Sequence, residues 1–370
     1  MLFAISLRQS CLLESRTNKL ALFDYVSIIP PAFRAGGIIL SCKKIYIRRG
    51  IPTAQAVSTQ SYRKHHLEST LPTINGLTCF FLGMCIAWKV GKWEAQGRRR
   101  YPVLYNAENR SIKIGNTDME YISFGTGKQN LIMLPGLGDG LKTVKGTALP
   151  MAVLFKEYGR NYKVYIFSRK NKLEENDSIR DMAKDQKAAM EKLGINKAYI
   201  VGISQGGMIA QYIAIDYPEI VEKLVLAVTA SEQNETIKKV ISSWIEMAAK
   251  NDYKNLFIDI MEKSYTEKYK QKYRLLYPIL TKIGKPKDFS RFITQANAIL
   301  LHNSYEDLIK IQCPALVIGA DNDEIVGTHA SKNIAERIPG SKLLIYKGLG
   351  HAAYEEAKDF NQQVLSFLKI

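Results

Sequence analysis

From about residue 110 to the C-terminus the sequence predicts an α/β fold, a mostly parallel central sheet with helices on both faces. Three observations carry this expectation. Short apolar runs recur along the chain, helical stretches fall between them, and glycine-bearing loops follow directly on three of the runs.

Ile112–Ile114 and Met119–Phe124 read as an opening hairpin. After them come Leu131–Leu134, Lys163–Phe167, Ala198–Ile203, Lys223–Val228, Ala315–Ile318 and Leu343–Tyr346. Runs this short, rich in Val, Ile and Tyr, suit strands buried on both faces. Ser178–Leu193, Gln205–Tyr217 and Tyr354–Leu368 read as helices. Repeated strand–helix units imply a parallel sheet covered on both sides. Ligands of such sheets bind at the carboxyl ends of the strands.

The 370 residues are 46% hydrophobic and 24% charged, a balance that excludes a long disordered polymer, a collagen-like repeat and a disulfide-dense miniprotein. Charge is unevenly placed. Residues 1–100 hold 15 Lys and Arg against four acids, a net of +11, and the other 270 residues hold 37 against 31. The overall charge of +17 therefore implies no nucleic-acid partner for the larger part. Five cysteines are a sparse, odd count, which fits a reducing compartment better than a disulfide framework.

The chain divides near residue 101. Residues 1–73 form a basic N-terminal extension without sustained periodicity, and no function is assigned to them. Ser69–Trp88 is uncharged, with a dense core at Leu77–Trp88, and Lys89, Lys92 and Arg98–Arg100 follow. Twenty such residues just cross a bilayer, although Pro72, Thr73 and Asn75 shorten the strongly apolar part. Residues 74–90 are read as a membrane anchor helix, against the alternative of an apolar helix packed on the protein surface. The downstream positive cluster would keep the C-terminal side in the cytoplasm. The expected location is thus cytoplasmic, anchored or not, with residues 101–370 as the main domain.

Three loops at strand ends carry the chemistry. Gly202-Ile203-Ser204-Gln205-Gly206 joins an apolar run to an apolar helix. A turn this tight forces its central residue into strained backbone angles and holds the hydroxyl up beside the next helix. Leu134–Gly140 carries three glycines in five residues, so its backbone N–H groups can converge on an anion. Gly348-Leu349-Gly350-His351 puts an imidazole on the last loop. His302, within an apolar stretch, reads as a packing or capping residue, and His329 as part of the first turn of a helix over Thr328–Arg337.

With these motifs in this order, residues 110–370 resemble the α/β-hydrolase fold, in particular its small single-domain, bacterial-type serine hydrolases. Lys184–Glu191 ahead of the serine turn and Tyr217-Pro218-Glu219 behind it fit the same likeness. The resemblance implies that Ser204 is the nucleophile and His351 the general base. Asp323 matches the acid that orients the histidine. Asp321, two residues earlier, competes for that role, and spacing favours Asp323. The implied oxyanion hole consists of the backbone N–H groups of Leu137 and Gln205. Many relatives have histidine where this chain has Pro135; proline donates nothing, but the backbone donors survive the change.

Chemistry of this kind lets His351 take the Ser204 proton as the hydroxyl attacks a carbonyl, with Asp323 fixing the tautomer. Losing one oxyanion donor costs roughly 3–4 kcal/mol in known cases. A serine at the turn disfavours the dehalogenase and epoxide-hydrolase branches, which attack through a carboxylate. The implied activity is carboxylesterase-like hydrolysis of a small-molecule ester or related acyl substrate. Alternatives are an acyltransferase or lyase on the same triad, or a non-catalytic receptor or scaffold. No phosphate loop, dinucleotide fingerprint or metal-ligand spacing occurs, so no cofactor or metal is implied.

A helical insertion at about 231–307 breaks the alternation, and the resemblance makes it a lid. Tyr265, Tyr269, Tyr273 and Tyr277, four apart, are expected to form one helix stripe that packs the lid onto the body. The Lys and Arg residues among them, mixed with Glu262 and Glu267, read as a solvated face.

Overall fold

The computed structural model describes residues 106–369. Two antiparallel strands open it, β1 (Glu108–Ile114) and β2 (Thr117–Phe124), the hairpin read from the sequence. Strand β3 (Gln129–Leu134) leads through helices α1 (Gly138–Leu141), α2 (Ala148–Leu154) and α3 (Lys156–Gly159) to β4 (Tyr162–Lys170). Helix α4 (Ile179–Lys192), β5 (Ala198–Ile203), α5 (Gln205–Asp216) and β6 (Val221–Ala227) follow.

Five helices then interrupt the alternation: α6 (Glu235–Ala249), α7 (Tyr253–Ser264), α8 (Glu267–Tyr273), α9 (Tyr277–Ile283) and α10 (Ser290–Leu300). The chain returns to β7 (Ala315–Ala320), α11 (Ala330–Arg337) and β8 (Lys342–Tyr346). It ends with α12 (Ala353–Glu356) and α13 (Phe360–Lys369).

The eight strands make one sheet in the order β1-β2-β4-β3-β5-β6-β7-β8. Only the β1–β2 and β2–β4 pairs are antiparallel; β4 through β8 run parallel. Consecutive residues of β3 show why its run is uniformly apolar. Leu131 and Met133 enter the core on one face, Ile132 and Leu134 the core on the other. Both faces are covered, so no position can be polar without cost.

Helix starts agree with local sequence. Ser178 and Asp181 form a reciprocal capping box at the start of α4, and Asn234 accepts from the Ile237 N–H at 2.9 Å ahead of α6. Helix α5 is the exception to amphipathic patterning: every residue from Gln205 to Ile215 is buried, because it lies against β3, β5 and β6 of the sheet and is covered by α4. The insertion closes on itself at its base. Glu232 and Asn303 form a bridge, and the Ser304 N–H donates to the Ser231 carbonyl at 2.7 Å.

Two expected helices differ. The expected helix over Tyr354–Leu368 breaks at residues 357–359 into α12 and α13. On a continuous helix Tyr354 and Phe360 would point about 120° apart; the break lets both side chains face inward. The four tyrosines do not share one helix. Tyr265 ends α7, Tyr269 and Tyr273 lie in α8, and Tyr277 opens α9 after a 3-10 turn at Arg274–Leu276. The first break comes at Tyr265, whose backbone is extended; Pro278 explains only the second, before Tyr277, since a proline has no N–H for the preceding turn and clashes with it. The rings of Tyr265 and Tyr269 still stack at 4.6 Å and Tyr273 lies tilted against Tyr269 at 4.8 Å, while Tyr277 packs edge-on against Phe257.

Among the described residues no helix is long and apolar enough to cross a membrane. The expected extension over residues 1–73 and the expected anchor helix over 74–90 lie outside the described residues.

Candidate active site

Strand β5 ends at Ile203 and α5 begins at Gln205, which leaves Ser204 alone in the turn with φ 54° and ψ −121°. Holding a serine in that region costs on the order of 1–3 kcal/mol. The surroundings impose it. A Cβ on Gly206 would sit 2.0 Å from the Leu134 carbonyl oxygen, and one on Gly202 would sit 2.5 Å from the Gly206 oxygen. The Ser204 N–H donates to the Ala227 carbonyl at 2.9 Å, and Thr229 Oγ1 donates to the Ser204 carbonyl at 2.7 Å.

His351 arrives on the loop after β8, which is pinned to α7 by the Ala352 N–H donating to the Ser264 carbonyl at 2.8 Å. Its Nε2 lies 2.9 Å from Ser204 Oγ, and its Nδ1 lies 2.8 and 3.1 Å from the two Asp323 carboxylate oxygens. Asp323 is 3% exposed and His351 7%. Asp323 Oδ1 also accepts the N–H groups of Ile325 and Val326 at 2.9 and 3.0 Å, which fixes the carboxylate before the imidazole arrives. Asp321 does something else. It is exposed and accepts the Gly348 N–H at 2.6 Å, shaping the loop that carries His351.

Leu137 directly precedes α1 and Gln205 is the first residue of α5. Backbone N–H groups at helix starts have no intrahelical acceptor. The two belong to the loops flanking Ser204, and a Cβ on neighbouring Gly136 would be 3.2 Å from Ser204 Cβ.

A cavity of about 130 Å³ opens over Ser204 and His351. Its far wall is apolar and comes mainly from the insertion: Ile237, Ile241, Trp244, Ile260, Phe292 and Ile299. Lys142, half-buried at the end of the α1 loop, is the one Lys or Arg among the described residues lining it; burial holds its ammonium below the usual lysine range. Among the described residues no group of three or more His, Cys, Asp or Glu side chains is placed to hold a metal ion.

The other two histidines among the described residues are elsewhere. His329 is exposed just ahead of α11, one residue before its first turn. His302 is buried edge-on against Tyr212, ring centroids 5.4 Å apart, and burial lowers its pKa to about 4. A histidine depressed in the folded state binds fewer protons there than in the unfolded chain. Its neutral form therefore supports the fold above about pH 6.5, and that support is lost as pH falls toward 4. Thermal melts from pH 7.5 to 4 are expected to show an acid-side loss of about 3 kcal/mol that His302→Gln flattens; equal slopes in the two proteins would remove His302 as the cause.

A group of buried charges was not foreseen. Arg169, at the end of β4, is fully buried among Asp139, Arg291 and Gln205. The apolar run Lys163–Phe167 stops two residues short of it, and an arginine after a strand reads as solvent-facing. The strand in fact continues to Lys170.

A model of the alpha/beta hydrolase fold family matches residues 131–358. A 2-hydroxy-6-oxononadienedioate/2-hydroxy-6-oxononatrienedioate hydrolase from Paraburkholderia phymatum is 28% identical over 272 residues, 69% of this chain and 92% of its own length. The protein of the same name from Klebsiella pneumoniae subsp. pneumoniae is 27% identical over 268 residues, 66% of this chain and 88% of its own. Among solved structures, MGS-M2, an alpha/beta hydrolase enzyme from a Medee basin deep-sea metagenome library, superposes with a TM-score of 0.62 at 22% identity, over 70% of this chain and 98% of that one.

Proposed function

The chain belongs to the α/β-hydrolase fold family, and from that premise we propose that it is a serine hydrolase cleaving a carboxylic ester of a short or ring-bearing apolar acid. One observation carries the reading: a continuous hydrogen-bonded line from Ser204 through His351 to Asp323, at the floor of an apolar cavity.

In this reading Ser204 Oγ attacks the carbonyl carbon while His351 Nε2 takes its proton. Asp323 holds the Nδ1 proton inward and stabilises the imidazolium. The carbonyl oxygen becomes an anion facing the N–H groups of Leu137 and Gln205. The tetrahedral adduct expels the alkoxide, which leaves with the proton held on Nε2. Water then enters, gives a proton to His351 and attacks the acyl-enzyme; collapse frees the acid and returns the proton to Ser204. The segment over 231–307 acts as the lid, and its isoleucines with Trp244 form the acyl wall.

Cavity size sets the expected acyl group. An apolar cavity of about 150 Å³ admits a benzene ring, so butyryl to hexanoyl and phenylacetyl esters should be turned over and palmitoyl esters should not. An acyl-length series of chromogenic esters, run beside Ser204→Ala, tests this; equal turnover by the variant, or none by the wild type on any ester, would count against it. Ile241, 2% exposed on that wall, is the point of adjustment. Ile241→Ala should move relative kcat/KM toward longer chains by about tenfold, since each methylene newly buried gives ~0.8 kcal/mol. It should also cost about 3 kcal/mol of stability. An unchanged length profile would take Ile241 out of the acyl wall.

The relatives favour a second reading. The named dienedioate substrate carries a ketone and two carboxylates but no ester, so its hydrolysis must break a carbon–carbon bond. The same serine, imidazole and oxyanion donors would serve, with carbon as the leaving atom. Lys142 offers one cation for such a dianion, and the apolar far wall offers none among the described residues. A 2-hydroxy-6-oxo-dienoate consumed faster than every ester would favour this reading.

A further inference from the structure

Beneath the two oxyanion loops lies a cluster of buried charges. Asp139, the second residue of α1, has a fully buried carboxylate. Its Oδ2 accepts the Arg169 backbone N–H at 3.1 Å, pairs with the Arg291 guanidinium and lies 3.9 Å from Arg169 Nη1. Arg291, at the start of α10, also donates to the Asp139, Arg169 and Lys170 carbonyls.

Arg169 reaches the other loop as well. Its Nη2 donates to Gln205 Oε1 at 3.0 Å, and Gln205 Nε2 donates to the Gln295 carbonyl of α10 at 2.8 Å. Helix α1 and α10 are also in steric contact: a Cβ on Gly140 would lie 2.8 Å from Phe292 Cα. One guanidinium thus touches the side chains of residues in both oxyanion loops, and α10 of the insertion grips the same two.

Such a cluster is costly. Buried ion groups are often replaceable by apolar side chains of equal volume with no loss of stability. Burial pushes the Arg169 guanidinium down to about 10, with Asp139 opposing and Arg291 adding to the shift. The planar guanidinium nevertheless faces both loops at once, Nη2 hydrogen-bonded to Gln205 and Nη1 at ion-pair distance from Asp139, a span that an ammonium point charge does not reproduce.

We propose that Arg169 is a positioning residue that sets the distance between the Leu137 and Gln205 N–H groups, and that Asp139 and Arg291 lock that distance to the inserted helices. The inference rests on the serine-hydrolase reading above and deepens it. Donor spacing matters for the tetrahedral adduct far more than for the ground-state carbonyl.

The test uses the full chain with Arg169→Met, Arg169→Lys and Gln205→Met. It reads kcat and KM on a preferred ester, and Ki for a trifluoromethyl ketone, which forms a tetrahedral adduct on a serine. Arg169→Met and Gln205→Met should lower kcat by about 10- to 100-fold. They should raise Ki by the same factor and leave KM within about threefold. Arg169→Lys keeps a charge beside Asp139 but loses the fork, so it should recover melting temperature and not kcat.

Variants that lose melting temperature while kcat and Ki stay at wild-type values would overturn the proposal and leave the cluster as ordinary core. Should Arg169→Met fail to fold, Gln205→Met decides the matter alone. Wild-type protein without turnover on esters or 2-hydroxy-6-oxo-dienoates would instead sink the serine-hydrolase reading, and this inference with it.

Discussion

Ser204→Ala is expected to lower kcat by about 10⁶-fold, with KM and melting temperature close to wild type. Among the described residues the hydroxyl is the one nucleophile in hydrogen-bonding reach of His351 Nε2, and alanine leaves neither a nucleophile nor an acceptor for that ring. Stability should survive because the contacts that hold the turn are made by the backbone: the Ser204 N–H to Ala227 and the Ser204 carbonyl to Thr229. His351→Ala should lose nearly as much, and the double variant no more than either single one, since the groups act as a unit. Steady-state kinetics on the three variants checks this; a Ser204→Ala protein within about tenfold of wild type would mean that the line of hydrogen bonds does not carry the chemistry.

Asp323→Asn should lower kcat by about 10⁴-fold, while Asp321→Asn should cost less than about threefold. An asparagine in place of Asp323 presents an amide that can donate to Nδ1. The ring then carries its proton on Nε2, facing Ser204, and cannot accept one there. The carboxylate also receives two backbone N–H groups, from Ile325 and Val326, so its orientation should be retained and the loss confined to the tautomer. At Asp321 the amide oxygen can still accept the Gly348 N–H. Comparable losses in the two variants would contradict the assignment, and a larger loss at Asp321 would reverse it.

Much of this was legible in the sequence for identifiable reasons. Strands buried on both faces must be apolar throughout, so β3, β5 and β7 announce themselves as runs. Gly202 has no room for a side chain beside Gly206 and Gly207, a restriction within the turn itself, whereas Gly206 is kept small by Leu134 on the neighbouring strand. The pairing of Asp323 rather than Asp321 with His351 was less legible, since an Asp/Asn/Gly turn would use either carboxylate in its own backbone. The tyrosine spacing suggested one helix; the chain turns extended at Tyr265, and Pro278 interrupts it again before Tyr277.

The cluster of Asp139, Arg169 and Arg291 was illegible for a different reason. Its members lie 30 and 152 positions apart, on α1, β4 and α10. Each alone looks like a surface charge next to an element end. Only the fold turns them inward, and only the insertion supplies the second arginine.

A fluorophosphonate offered to the folded full-length protein, followed by intact mass and peptide mapping, puts the nucleophile to the most direct trial. One adduct should form, on Ser204. It should be absent in Ser204→Ala and slowed by at least about 10³-fold in His351→Ala. A folded wild-type protein that takes no adduct, or takes it on another residue, would contradict the account.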